Sequence, residues 1–142
     1  MQRVIKILLV EDDQLDQIEV KRTLERKNIL YLLKVAQNGE DGLKVLKETS
    51  SDAPYNGKPD LILVDLNMPK MNGFEFLNHI KSNPDWRDIK VFVLTTSDER
   101  EDKLLASKFG ISGFITKPLK LESPSSIDAF NLMIDLMNMQ VK

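Results

Sequence analysis

Ile5-Lys6-Ile7-Leu8-Leu9-Val10-Glu11-Asp12-Asp13 decides the fold. The almost wholly apolar run suits a strand buried on both faces, as in a parallel sheet. The acidic triplet then places carboxylates at the carboxyl end of that strand. Three other runs end in the same way: Leu61 to Val64 in Asp65, Val91 to Leu94 in Thr95-Thr96-Ser97, and Gly113 to Thr116 in Lys117-Pro118. A fifth, Leu32 to Ala36, ends in Gln37-Asn38-Gly39 and carries no evident chemistry. If these runs are parallel strands, their ends share one edge of a sheet. Carboxylates, a hydroxyl and a lysine then converge on one site, a set that suits a divalent cation and a phosphoryl group.

Helix patterns separate the runs. Gln14 to Arg26 reads as a helix with Leu15, Ile18 and Leu24 on its inner side and Val20 nearer its edge. Glu40 to Glu48 follows, with Leu43, Val45 and Leu46 inward. Phe74 to Ser82 carries Phe74, Leu77 and Ile80 at helical spacing and stops at Asn83-Pro84. Glu99 to Phe109 ends at Gly110, a residue suited to the position just past a helix. Ser123-Pro124 offers a cap and a first helical proline for a last helix running to about Met139. Alternation of this kind gives βαβ units. The expected fold is α/β: a flavodoxin-like (βα)5 doubly wound parallel sheet in the order 2-1-3-4-5. Its switch point lies between strands 1 and 3, where Glu11, Asp12, Asp13 and Asp65 end.

The chain has 142 residues, which predicts a single domain over 1–142 with no output domain attached. A net charge of -2 argues against a nucleic-acid-binding surface. Cysteine is absent, which excludes disulfides, thiolate metal sites and cysteine catalysis. No signal peptide and no membrane-length apolar stretch is evident, so the expected location is cytoplasmic, with no membrane partner. Thr49 to Pro59 is long for a helix-to-strand connection, typically about 2–6 residues. It reads as a solvated insertion, with a partner contact as the alternative.

Carboxylates at adjacent strand ends repel one another unless a cation sits among them. Glu11, Asp12 and Asp65 are hard oxygen ligands of the kind magnesium prefers. Asp13 is placed to cap the following helix, but capping does not explain Asp65. The segment Asp65-Leu66-Asn67-Met68-Pro69-Lys70-Met71-Asn72-Gly73 is not an EF-hand loop, because Pro69, Lys70 and Phe76 stand where such a loop needs a ligand, a glycine and a glutamate. Lys117-Pro118 is the peptide type that adopts cis readily, which would turn the lysine toward the strand ends.

Taken together, these segments resemble the receiver domain of two-component response regulators, the CheY-like fold. The motifs are Leu8 to Asp13, Asp65 to Gly73, Leu94 to Ser97 and Lys117-Pro118, in the family's order and spacing. The long loop before strand 3 and the Leu94-Thr95-Thr96-Ser97 segment are most similar to the stand-alone phytochrome-response-regulator type. The resemblance implies a phosphorelay switch rather than an enzyme. Asp65 would accept a phosphoryl group from a sensor histidine kinase, which the finer resemblance makes phytochrome-type. Glu11, Asp12, Asp65 and the backbone carbonyl of Asn67 would hold magnesium, and Thr95 and Lys117 would contact the phosphoryl oxygens. Thr95 and Phe114 would form the switch, although Phe114 lacks the hydroxyl of the alternative tyrosine. Asn67 and Ser97 would fall at positions that tune dephosphorylation.

Other residues read as structure. His79 is expected on the surface, Trp86 as a loop anchor, and Phe74 and Phe92 in the core. On the last helix Asp128, Asn131, Asp135 and Asn138 make one narrow polar stripe among apolar residues. That surplus fits either deep packing or an interface, such as a homodimer through the face of helix 4, strand 5 and helix 5. Two competing functions are a phosphate-independent scaffold and an aspartyl-phosphate hydrolase of the haloacid-dehalogenase type. The hydrolase would need an aspartate two residues after Asp65, where Asn67 stands.

Overall fold

The computed structural model describes residues 4–26, 30–48, 58–66, 71–96 and 100–117. Strands and helices alternate through them: β1 Ile5–Val10, α1 Gln14–Arg26, β2 Tyr31–Ala36, α2 Gly39–Lys47, β3 Leu61–Asp65, α3 Gly73–Ser82, β4 Lys90–Thr96, α4 Arg100–Ser107 and β5 Gly113–Lys117. The five strands form one parallel sheet in the order β2-β1-β3-β4-β5, as the patterning predicts. The expectations for Asn67, Ser97, Pro118, most of the loop before β3 and the helix from Ser123 to Met139 lie outside the described residues.

Alternate residues of a strand point to opposite faces, and the core divides accordingly. Leu8, Val10, Ile62, Val64, Val91 and Val93 meet Leu43 and Leu46 of α2, Phe76, Leu77 and Ile80 of α3, and Ala106 of α4. Ile5, Ile7, Leu9, Leu61, Leu63, Phe92, Leu94 and Ile115 line the other face under Val20 and Leu24 of α1. Every residue of β3 is buried, which explains why its sequence shows no polar alternation.

α1 packs in a different phase from that expected, and α3 keeps Leu77 and Ile80 inward as expected but adds Phe76. On α1, Leu15 and Ile18 are exposed, whereas Val20, Thr23 and Leu24 are buried. The first turn of α1 turns Asp16 and Gln17 inward, and both bond to polar atoms at the strand ends. The inner stripe therefore begins polar and becomes apolar only at Val20. On α3, Phe76 is fully buried with Leu77 and Ile80, while Phe74 is half-buried at the margin of the same cluster. Val45 is likewise half-buried. Trp86 is buried in the turn after α3, His79 is exposed and Phe92 is core, as expected. Gly110 has a φ of 70°, the left-handed backbone anticipated after α4.

A reciprocal cap starts α3. The Asn72 side chain accepts from Glu75 N at 3.0 Å, and the Glu75 carboxylate accepts from Asn72 N at 3.3 Å. The next residue, Gly73, donates its N–H to Leu66 O at 2.9 Å and folds the chain tightly behind Asp65. A Cβ at this position would stand 2.5 Å from Leu66 Cα and 2.6 Å from Asp65 O, both backbone atoms that cannot rotate away. Gly73→Ala is therefore expected to cost about 1–3 kcal/mol of stability by overpacking, measured by urea unfolding. An unchanged midpoint would show that the backbone here yields without cost.

Candidate functional site at the carboxyl edge of the sheet

Each functional side chain is placed by the strand that carries it. Glu11 continues the β1 ladder, its N–H donating to Ala36 O at 2.9 Å. Its carbonyl accepts from Gln17 Nε2 at 2.7 Å, and its carboxylate accepts from Asp13 N at 3.2 Å. Asp13 turns away to cap α1, accepting from Leu15 N at 2.8 Å and Asp16 N at 3.2 Å. Asp12 is left exposed at the edge. Asp65 ends β3 and is buried, in register with Leu94 of the neighbouring strand.

Glu11, Asp12 and Asp65 come together: one carboxylate oxygen from each lies within 4.8 Å of the others. Three hard, anionic oxygens at this spacing fit a divalent cation that keeps part of its water shell. This is the set that the strand ends predict. The Asn67 carbonyl, expected as a further ligand, lies outside the described residues.

Lys117, at the end of β5, supplies the opposing charge. Its Nζ stands 2.7 Å from Glu11 Oε1, 2.8 Å from Asp16 Oδ2 and 3.3 Å from Asp65 Oδ2. Burial alone would favour the neutral amine, but bonds to Asp16 and Glu11 outweigh it and hold the group above the ordinary lysine range. Glu11 is fully buried. Burial pushes its carboxyl up to about 8; contact with Lys117 opposes that rise and the charge of Asp65 adds to it.

Thr95 is buried on β4, in register with Thr116. Val93, two residues earlier on the same face of that strand, pairs with Phe114, which is half-buried against the cluster under α2, α3 and α4. Thr95 and Phe114 therefore stand near each other on adjacent strands, Phe114 against the cluster that includes Ala106 of α4.

No motif points to Asp16, yet it makes one of the shortest contacts in the site. Its signal was positional: Asp16, Val20 and Thr23 share one helical stripe, so the phase of α1 could have pointed to it.

Comparison with known proteins agrees with this geometry. Residues 7–124 match the model of the response regulator receiver domain. The chain is 35% identical over 116 residues to the response regulator Rcp1 of Synechocystis sp., covering 82% of this chain and 78% of that protein. The Mn(2+)-bound form of response regulator Rcp1 superposes with a TM-score of 0.77 at 31% identity, covering 97% of each chain. The phosphorylated cyanobacterial phytochrome response regulator RcpA gives a TM-score of 0.78 at 27% identity, covering 99% of this chain and 97% of that one. No helix among the described residues is long and apolar enough to cross a membrane. With its strand order, its acidic edge and its match over most of its length, the chain belongs to the response regulator receiver family, the phosphorelay switches of two-component signalling.

Proposed function

We propose that Asp65 is the phosphoacceptor, taking a phosphoryl group from the phosphohistidine of a sensor kinase. One observation carries this reading: a buried carboxylate ends the central strand within 4.8 Å of two other carboxylates, with an ammonium 3.3 Å away. An Asp65 oxygen attacks phosphorus, the phosphorus–nitrogen bond breaks, and the imidazole leaves with the bond's electrons. Asp65 becomes an acyl phosphate. Glu11, Asp12, Asp65 and the Asn67 carbonyl would hold magnesium, which when bound supplies positive charge to the phosphoryl oxygens. Lys117 supplies charge from the opposite side, and the Thr95 hydroxyl a directed donor. The rest of the work is positioning.

Thr95 moving toward the phosphoryl group would open space for Phe114, and β5 would relay that change to α4. Leu104 and Leu105 are exposed on α4 and would contribute to a homodimer or output contact there. The similarity to RcpA supports a phytochrome-type kinase as the donor, and we place the exchange in the cytoplasm.

Asp65→Asn is expected to abolish phosphate uptake from phosphoramidate, followed by intact-protein mass spectrometry; uptake at the wild-type rate would refute the assignment. Magnesium affinity is expected to depend on pH. The folded Glu11 carboxyl holds its proton up to about 8, well above its ordinary range, and a cation needs the carboxylate. Binding should therefore tighten from pH 6 to 8, by at most about tenfold per pH unit for release of one proton, and level off above that. Calorimetric affinities that stay flat from pH 6 to 9 would contradict this.

A further inference from the structure

The charge arrangement around Lys117 contains one carboxylate more than the proposed chemistry uses. Asp16 is not part of the acidic cluster of Glu11, Asp12 and Asp65. It nevertheless stands 2.8 Å from Lys117 Nζ, closer than Asp65 at 3.3 Å. Charge-assisted N–H···O bonds are strongest at about 2.7–2.9 Å. Glu11 and Asp16 lie at that distance and Asp65 does not, and of the two only the Asp16 contact has the alignment of a hydrogen bond. An ammonium has three protons, and three carboxylates surround this one. Its position is thus drawn toward β1 and α1, away from Asp65.

From this arrangement we infer that Asp16 is a positioning residue that holds Lys117 back from Asp65 and competes with a phosphoryl group for its ammonium. The inference rests on the reading of Asp65 as phosphoacceptor. A phosphoryl group on Asp65 brings anionic oxygens to the side where the lysine contact is longest. To bond them at full strength, Lys117 must loosen one of its two shorter contacts. The Glu11 side chain is fully enclosed, so no water can take the place of the lysine there. The Asp16 side chain is 28% exposed, so water can replace the lysine. Asp16 is therefore the partner that gives way. Its charge sets how readily Lys117 moves to the phosphoryl group, and each phosphorylation leaves a newly solvated carboxylate on the first turn of α1.

The test is a titration of the full chain with beryllofluoride in saturating magnesium, using wild type, Asp16→Asn and Glu19→Gln. Glu19 lies on the same helix and its ion pair is with Arg22, so its substitution changes the net charge equally without touching Lys117. Asp16→Asn should bind beryllofluoride roughly two- to fivefold more tightly, the scale of a partly exposed ion pair, while Glu19→Gln should match wild type. In metal-free protein the nitrogen-15 signal of the Lys117 ammonium should shift in Asp16→Asn and stay in place in Glu19→Gln. Asp16→Ser serves if the asparagine variant folds poorly. Equal or weaker binding by the Asp16 variants, or equal tightening by Glu19→Gln, would overturn the inference while leaving Asp65 as acceptor. Wild-type protein that binds no beryllofluoride would remove the phosphoacceptor reading, and this inference with it.

Discussion

Mutual repulsion among carboxylates at one edge of the sheet governs the design of this molecule. Glu11 and Asp65 are both buried, with oxygens within 4.8 Å of each other. At an effective dielectric of about 20, two such charges repel by roughly 3 kcal/mol. Lys117 offsets that repulsion among the residues described, and it does so from the end of β5, two strands beyond the strand that carries Asp65. Strand order, register and the depth of the edge are thereby coupled to charge balance. A cation among the acidic groups would complete that balance.

The same strand carries the charge and the proposed switch. Phe114 lies on β5 three residues before Lys117, and its register partner on β4 precedes Thr95 by two residues. A shift in the ammonium or in Thr95 would therefore reach the stretch of β5 that carries Phe114. In the proposed function, this is how an event on Asp65 reaches the exposed leucines of α4. On the same proposal Asp16 would add a second outlet, because the contact it makes with Lys117 links the acidic edge to the first turn of α1. That turn also presents Leu15 and, one turn on, Ile18 to solvent.

Much of this was legible in the chain. Strands buried on both faces must be apolar throughout, so the runs at Ile5, Leu61 and Val91 stood out, and a polar residue at the end of each marked one edge. Topology then brought Glu11, Asp12, Asp65 and Lys117 together without knowledge of any side chain. The phase of α1 misled because apolar residues are expected inward, whereas a helix that roofs a polar site turns polar groups inward where it covers that site. Asp16 was hidden for a related reason: its partner lies 101 residues away, and pairing across that distance leaves no local pattern. The cap of α3 also went unread, although Asn72 and Glu75 sit at the capping spacing and the pairing is local.

In the proposed function Asp65, facing Lys117 across the acidic edge, is where phosphate becomes covalently attached. Treating the protein with a small phosphodonor and magnesium, then reducing the acyl phosphate with borohydride, converts the acceptor aspartate to homoserine. Peptide sequencing by mass spectrometry should place homoserine at position 65 alone. Homoserine at position 12 or 13, or an unmodified Asp65 in protein that has taken up phosphate, would contradict the account.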